Sequence, residues 1–227
     1  MRLAAEVFGE PERRRVRDAV AAAERGTAAE IVPLVATASG AYERAADLVG
    51  LVCAGLGLFL LWWLMLPGGS AGTWYPPVVS VTGFGMLLAL GVLGGGFWLG
   101  VAVAGWWGWL RRLFVSRARM EQQVGRAAAR AFAEHGVSET SGRTGVLIYL
   151  SLFEGRVRVI GDSAISRKLP PEHWQQLCAA IEAGLARGAA ADALVAGIER
   201  CGALLAGPFP AGEQRRDEVG NTLRILD

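Results

Sequence analysis

The sequence predicts an α/β fold, a mixed sheet flanked by helices and interrupted by a two-helix transmembrane hairpin. Three observations carry that expectation. From Leu48 to Leu110 there is no Asp, Glu, Lys, Arg or His, whereas both flanks carry ordinary charge. Gly145 to Leu150, "GVLIYL", is an uninterrupted apolar run bounded by turn formers, the pattern of a central strand buried on both faces. The N-terminal flank offers only one helix and one strand, too little to bury a core. The two flanks are therefore expected to complete one sheet.

The elements follow in order. Glu12 to Arg25 places Val16, Ala19, Val20 and Ala23 on one helical face, ended by Gly26 and Thr27. "AEIVPLVAT" reads as a strand in which Pro33 removes a ladder donor, which points to an edge or a bulge. After the apolar interval, "SRARMEQQVGRAAARAFAEHGV" is helical, with Met120, Val124, Ala127 and Ala131 in register and Gly136 as its stop. "RVRVI" from Arg156 alternates, so one face is covered while Arg156 and Arg158 look outward. Pro170 and Pro171 open a helix with Trp174, Leu177, Cys178, Ile181 and Leu185 on one stripe. A last helix aligns Leu194, Ile198, Cys201 and Leu205 before "GPFP".

Within the uncharged interval, Leu48 to Leu66 is close to the roughly 20 residues that cross a bilayer. Pro67 to Pro77 is a turn, and a second span is expected from about Val78 to about Val101. Trp62, Trp63, Trp74 and Tyr75 would mark one interface, and Trp106, Trp107 and Trp109 the other. Arg44 precedes the first span and Arg111, Arg112, Arg117 and Arg119 follow the second, while the turn has no arginine. The positive-inside rule then places both termini in the cytoplasm of an integral membrane protein. Gly91-xxx-Gly95 and Gly96-xxx-Gly100 fit close packing of the spans against each other or a homodimer contact. The expected organisation is residues 1–47 and 111–227 as two parts of one α/β domain, with 48–110 as the hairpin.

The remaining composition narrows the function. A net charge of +2, with arginines spread over helix faces and no aromatic interleaving, argues against nucleic acid as a partner. Cys53, Cys178 and Cys201 form no CxxC pair and read as small hydrophobes. The start of the chain shows no apolar run of signal-peptide length. Lys168 is the one lysine, and no phosphate-binding glycine loop precedes it.

The order helix, "AEIVPLVATASGAY", helix, "TGVLIYLSLFEGRVRVIGDSAI", helix, "DALVAGIERCGALLAGPFP" resembles the TPM domain family. It is similar in particular to bacterial membrane proteins in which a transmembrane hairpin interrupts that domain. Arg143, Thr144, Gly145, Ser151, Glu154, Asp162 and Ile165 match the family pattern, and Glu30, Ser39 and Tyr42 match it more loosely. The tail "DEVGNTL" resembles the family's acidic, Asn-containing ending but lacks its proline. The resemblance implies a mixed sheet between helices, with a cleft where strand ends meet. It implies a place in the bacterial inner or cell membrane and a LemA-like or other membrane protein as partner. Some members of the family bind divalent cations or show phosphatase activity.

These implications frame the chemistry. A divalent cation such as calcium wants six to eight oxygens, several of them carboxylate. Asp162, Glu30 and Glu154 are the candidate ligands, with Ser39, Ser151 and Ser163 as neutral donors, yet no D-x-D run or calcium loop is present. Against that, Asp162 in "GDS" reads as a turn residue that accepts backbone hydrogen bonds. Ser163 as a nucleophile would need a histidine oriented by a carboxylate. His135 ends a helix, where its charge would be favoured by the dipole, and His173 lies in the first turn of another. No catalytic residue is therefore assigned. The expected function is a membrane-anchored accessory or interaction module without catalytic activity. The alternatives are a divalent-metal-dependent phosphohydrolase and an assembly factor acting through its spans.

Overall fold

A computed structural model describes residues 3–40, 43–65, 83–106, 116–140, 142–211 and 220–227. The chain divides into two compact units, one of residues 2–41 with 117–227 and one of residues 42–116. The first begins with α1 (Ala4–Val7), α2 (Glu10–Glu24) and β1 (Glu30–Ala36). The second holds α3 (Glu43–Met65) and α4 (Gly83–Trp106). The first resumes with α5 (Arg117–Glu134), a short 3-10 turn at Val137–Glu139, β2 (Gly145–Ser151) and β3 (Arg156–Gly161). It ends with α6 (Ser163–Lys168), α7 (Pro171–Ala186), α8 (Ala190–Ala206) and β4 (Arg224–Leu226).

The sheet is mixed, in the order β3-β2-β1-β4. Strand β1 runs parallel to β2 from Glu30↔Gly145 to Ala36↔Ser151, and β3 returns antiparallel along β2. All seven residues of β2 are buried. Alternation explains why, since successive side chains point to opposite faces. Val146, Ile148 and Leu150 meet Ile31 and Val35 of β1, Val16 and Val20 of α2, Leu177 and Ile181 of α7, and Leu194, Ile198 and Leu205 of α8. Leu147 and Tyr149 join Val32, Leu34 and Ala36 on the other face, beneath Val124, Ala128 and Ala131 of α5. Cys201 sits in the first core, and burial pushes its thiol up to about 12, as suits a small hydrophobe.

Pro33 marks β1 in the sequence as an edge or a bulge, yet β1 has neighbours on both sides. Glu30 donates its N–H to Thr144 (3.2 Å) and the Ala36 carbonyl accepts from Leu152 (3.0 Å), so the even-numbered backbone groups face β2. Ile31, Pro33 and Val35 thus face the other side, where β4 pairs only with Leu34–Ala36. The missing donor of Pro33 falls where β4 does not reach. Beside it, the Ile31 N–H donates to Oε1 of the fully buried Glu24 at 2.8 Å.

Three elements were not legible in the sequence: α1, α6 and β4. Each has six residues or fewer, too short to display a period. Elsewhere the faces shift slightly, with Ala128 buried in α5 where Ala127 was expected and Ala127 only half-buried. Gly136 stops that helix at φ 67°. His135 departs from the expectation of a favoured charge. Burial, and then the Arg224 guanidinium, hold its pKa below the usual value.

In the second unit, two helices are long and apolar enough to cross a membrane, Ala46–Leu64 and Gly85–Gly105. Helix α4 runs through Trp106, beyond the expected Val101, because Ala102 to Gly105 contains neither charge nor proline to stop it. Residues 66–82 and 107–115, with the expected turn, Trp74, Tyr75, Trp107 and Trp109, lie outside the described residues. Glycine sets the close approach of the helices. A Cβ on Gly100 would lie 2.7 Å from Gly50 Cα, and one on Gly96 would lie 3.0 Å from Ala54 Cα. Gly91 and Gly95 meet nothing within 4 Å. Of the two glycine pairs, only Gly96-xxx-Gly100 therefore packs the hairpin. Gly100→Leu should splay the helices, at a cost of about 1–3 kcal/mol for overpacking, whereas Gly95→Leu should leave them in place. Oxidative cross-linking of a cysteine pair introduced at Ala46 and Ala104, which share one buried cluster, reads this directly.

Candidate functional site

The family-pattern residues fall at two opposite ends of the sheet. At the end where the parallel strands β1 and β2 finish, Leu152 N–H donates to Ala36 O (3.0 Å) and Phe153 N–H to Thr37 O (2.9 Å). This fixes the β2–β3 turn against the exit of β1. Glu154 in that turn is buried, and its Oε1 accepts the Ser39 N–H at 2.8 Å. Its Oε2 accepts a short hydrogen bond from the fully buried Ser151 hydroxyl. Ser39 Oγ lies 3.0 Å from the Tyr149 hydroxyl. Burial raises the Tyr149 pKa, the Ser39 hydrogen bond lowers it, and the Glu154 charge raises it further. Beside this cluster the Thr37 hydroxyl donates to Asp227 Oδ1 (2.7 Å), and both oxygens accept from the Ala4 N–H. Tyr42 lies outside the described residues.

At the other end, the Asp162 N–H donates to Gly145 O at 2.9 Å and Asp162 Oδ1 accepts from the Ser163 N–H. Asp162 is thus the N-cap of α6, and Ser166 N–H returns to its carbonyl at 2.9 Å. Arg143 has the left-handed φ of 51°, and its carbonyl accepts from the Ala164 N–H. Thr144 donates its hydroxyl to Ala28 O (3.1 Å) and its N–H to Thr140 Oγ1 (3.1 Å). Gly145 is required by close approach, because a Cβ there would overlap the Val137 carbonyl oxygen. Ile165 is fully buried in the first core. The Arg143-Thr144-Gly145 and Asp162 signature is, in this chain, a set of chain-reversal contacts.

This arrangement separates the expected cation ligands. Glu30 pairs with Gly145, and Gly145 accepts from Asp162, so these two carboxylates flank the start of β2. Glu154 bonds Ser151 at the far end of β2, about 20 Å away by strand rise. Among the described residues two buried side-chain oxygens lack a partner, Asp162 Oδ2 and Asn221 Oδ1, and of these only Asp162 Oδ2 belongs to an expected ligand. Both oxygens of Glu154 are already engaged, and no group of three or more His, Cys, Asp or Glu gathers among the described residues. The three carboxylates do not fit one six-oxygen cation site, because parallel pairing sends them to opposite sheet ends. Ser163 has its N–H on Asp162, and His173 is an exposed residue of the first turn of α7. His135, the second histidine, ends α5 and offers its carbonyl to Arg224 at 3.0 Å.

Two substitutions separate these roles. Gly145→Ala should destabilise the protein by about 3 kcal/mol, since backbone rather than a mobile side chain blocks the added carbon. Asp162→Ala should cost about 1 kcal/mol as a lost N-cap, with Asp162→Asn nearer to wild type. Thermal unfolding in detergent measures both.

The family model of the TPM domain matches residues 113–204, a segment that holds α5, β2, β3, α6, α7 and most of α8. Among solved structures, the fold is similar to the NMR structure of the BA42 protein from the psychrophilic bacterium Bizionia argentinensis. The TM-score is 0.54 at 18% identity, covering 99% of this chain and 96% of that one. No curated protein matches the chain. The sequence match to the TPM domain over residues 113–204 agrees with the mixed sheet shared with that solved structure.

Proposed function

We propose that this TPM domain is an interaction module anchored in a bilayer by α3 and α4, acting through binding to a membrane partner without turnover. One observation carries the reading. In the polar cluster at the ends of the parallel strands, where open α/β sheets place their ligands, the acid is used up internally. Glu154 is spent on Ser39 and Ser151, and the Ser151 hydroxyl is fully buried. A nucleophile needs a free base and an accessible atom.

The anchor is supported by the apolar surface of the hairpin. Leu64, Leu87 and Trp98 are 71%, 69% and 73% exposed, far more large apolar surface than water tolerates in a compact unit. The partner is another membrane protein, of the kind the family resemblance implies, or a second copy of this chain. Arginine placement around the hairpin supports cytoplasmic termini.

Two measurements test this proposal. The full-length protein in detergent, given a generic phosphomonoester with calcium or magnesium, should release phosphate no faster than buffer. Metal-dependent release abolished by Asp162→Ala would instead establish the phosphohydrolase. In intact cells, a membrane-impermeant maleimide should label a cysteine introduced at Ser70 but not one at Glu121. The reverse pattern, or labelling at both positions, would remove the topology.

A further inference from the structure

A cavity of about 390 Å³ lies along the outer edge of β3, between α5 and α7. Its apolar lining comes from Val124 of α5, Val157 and Val159 of β3, and Ala179 and the half-buried Trp174 of α7. Three of its four charged side chains are committed to one another. Arg156 bridges Glu121 on α5 (3.2 Å) and Glu182 on α7 (3.0 Å). Glu182 also accepts the outward Val157 N–H at 3.0 Å. The outward carbonyl of Gly161, further along the same edge, accepts from Ser166 Oγ at 2.9 Å. An added strand would find these edge groups taken, so the groove is not a place for strand addition.

Arg158 differs from its neighbours. It lines the groove, is exposed, and has no hydrogen-bond or ion-pair partner among the described residues. Its guanidinium lies close to Gly125 of α5, where even a methyl group would stand 3.8 Å from Nη2. The groove therefore combines an aromatic and aliphatic wall with one uncommitted fork of donors. That is the form of a small-ligand site, mostly apolar with a single orienting polar group. The charge of its occupant is bounded as well. A monoanion is met by Arg158, whereas a dianion such as a phosphate monoester would carry its second charge towards Glu121 and Glu182.

We propose that this groove binds a small amphipathic carboxylate, its aryl or short alkyl body against Trp174 and Val159 and its carboxylate on Arg158. Cys178 supplies the readout, because it lines the same groove and is half-buried, while Cys201 is fully buried. The full-length Cys53→Ala protein in detergent is alkylated with N-ethylmaleimide in the presence of 4-phenylbutyrate. Alkylation of Cys178 should slow as the groove fills, about threefold when the probe stands at twice its dissociation constant. The uncharged 4-phenylbutanol should protect much less. Arg158→Gln should abolish the protection by the carboxylate, read as the ratio of alkylation rates with and without the probe. The ratio is the measure because the Arg158 charge also lowers the Cys178 pKa, and its loss slows the basal rate. Equal protection by acid and alcohol, no protection at all, or protection that survives Arg158→Gln would overturn the proposal.

Discussion

The parallel pairing of Glu30–Ala36 with Gly145–Ser151 is the constraint on which the first unit depends. It joins segments separated by roughly a hundred residues, and closing so long a loop grows only logarithmically in cost with length. The return is large. With β1 in place, β2 has a neighbour on each edge and feeds both cores, and the N-terminal helix α2 acquires a sheet to cover. Without it, each flank would be left with too little apolar surface to fold. A one-residue slip would turn Val146, Ile148 and Leu150 out of the first core and put Leu147 and Tyr149 into it. Gly145 resists such a slip, because no larger residue fits beneath the Val137 carbonyl.

The same register decides what the polar residues can do. It sets Glu30 and Asp162 at the start of β2 and Glu154 at its end. Three acids that look like one ligand set in a linear sequence are thereby divided between two jobs. Glu154 ties the first residues after β1 to the turn after β2, and Asp162 caps the short helix after β3. A carboxylate that accepts two such bonds in a buried place is costly to redirect, because its partners would be left unsatisfied.

Much of the fold was legible from patterning. The run "GVLIYL" identified the central strand, the 3.6-residue stripes identified α2, α5, α7 and α8, and the absence of charge identified both long apolar helices. Sheet completion across the two flanks followed from counting what each could bury. The misreadings have physical causes. Pro33 reads as an edge signal because propensity cannot show which side of a strand its missing donor faces. β4 was invisible because three residues have no period, and they pair only because β1 offers a template. Glu24 is not legible as a buried acid because a carboxylate at the last turn of a helix, beside Arg25 and Gly26, reads as a solvent-facing helix end. Its role depends on the Ile31 amide, which becomes exposed to it only through the gap beside Pro33. The edge groove was not legible either, since its residues come from three elements brought together by the sheet.

An insertion after the first strand is tolerated only if each unit closes on itself. The hairpin does so with Ala46, Val49 and Ala104 in one buried cluster, so the inserted segment starts and ends at neighbouring places. The domain does so at Ser39, two residues short of where its own segment stops, with the Glu154 carboxylate holding the Ser39 N–H. Thr37, just before it, is held by Leu226 O through its N–H and by Asp227 through its hydroxyl. Two independent sets of hydrogen bonds thus end the first strand, one from the β2–β3 turn and one from β4. Bonds made within the domain complete its sheet on both sides of that exit, with no bond borrowed from the inserted helices in either set.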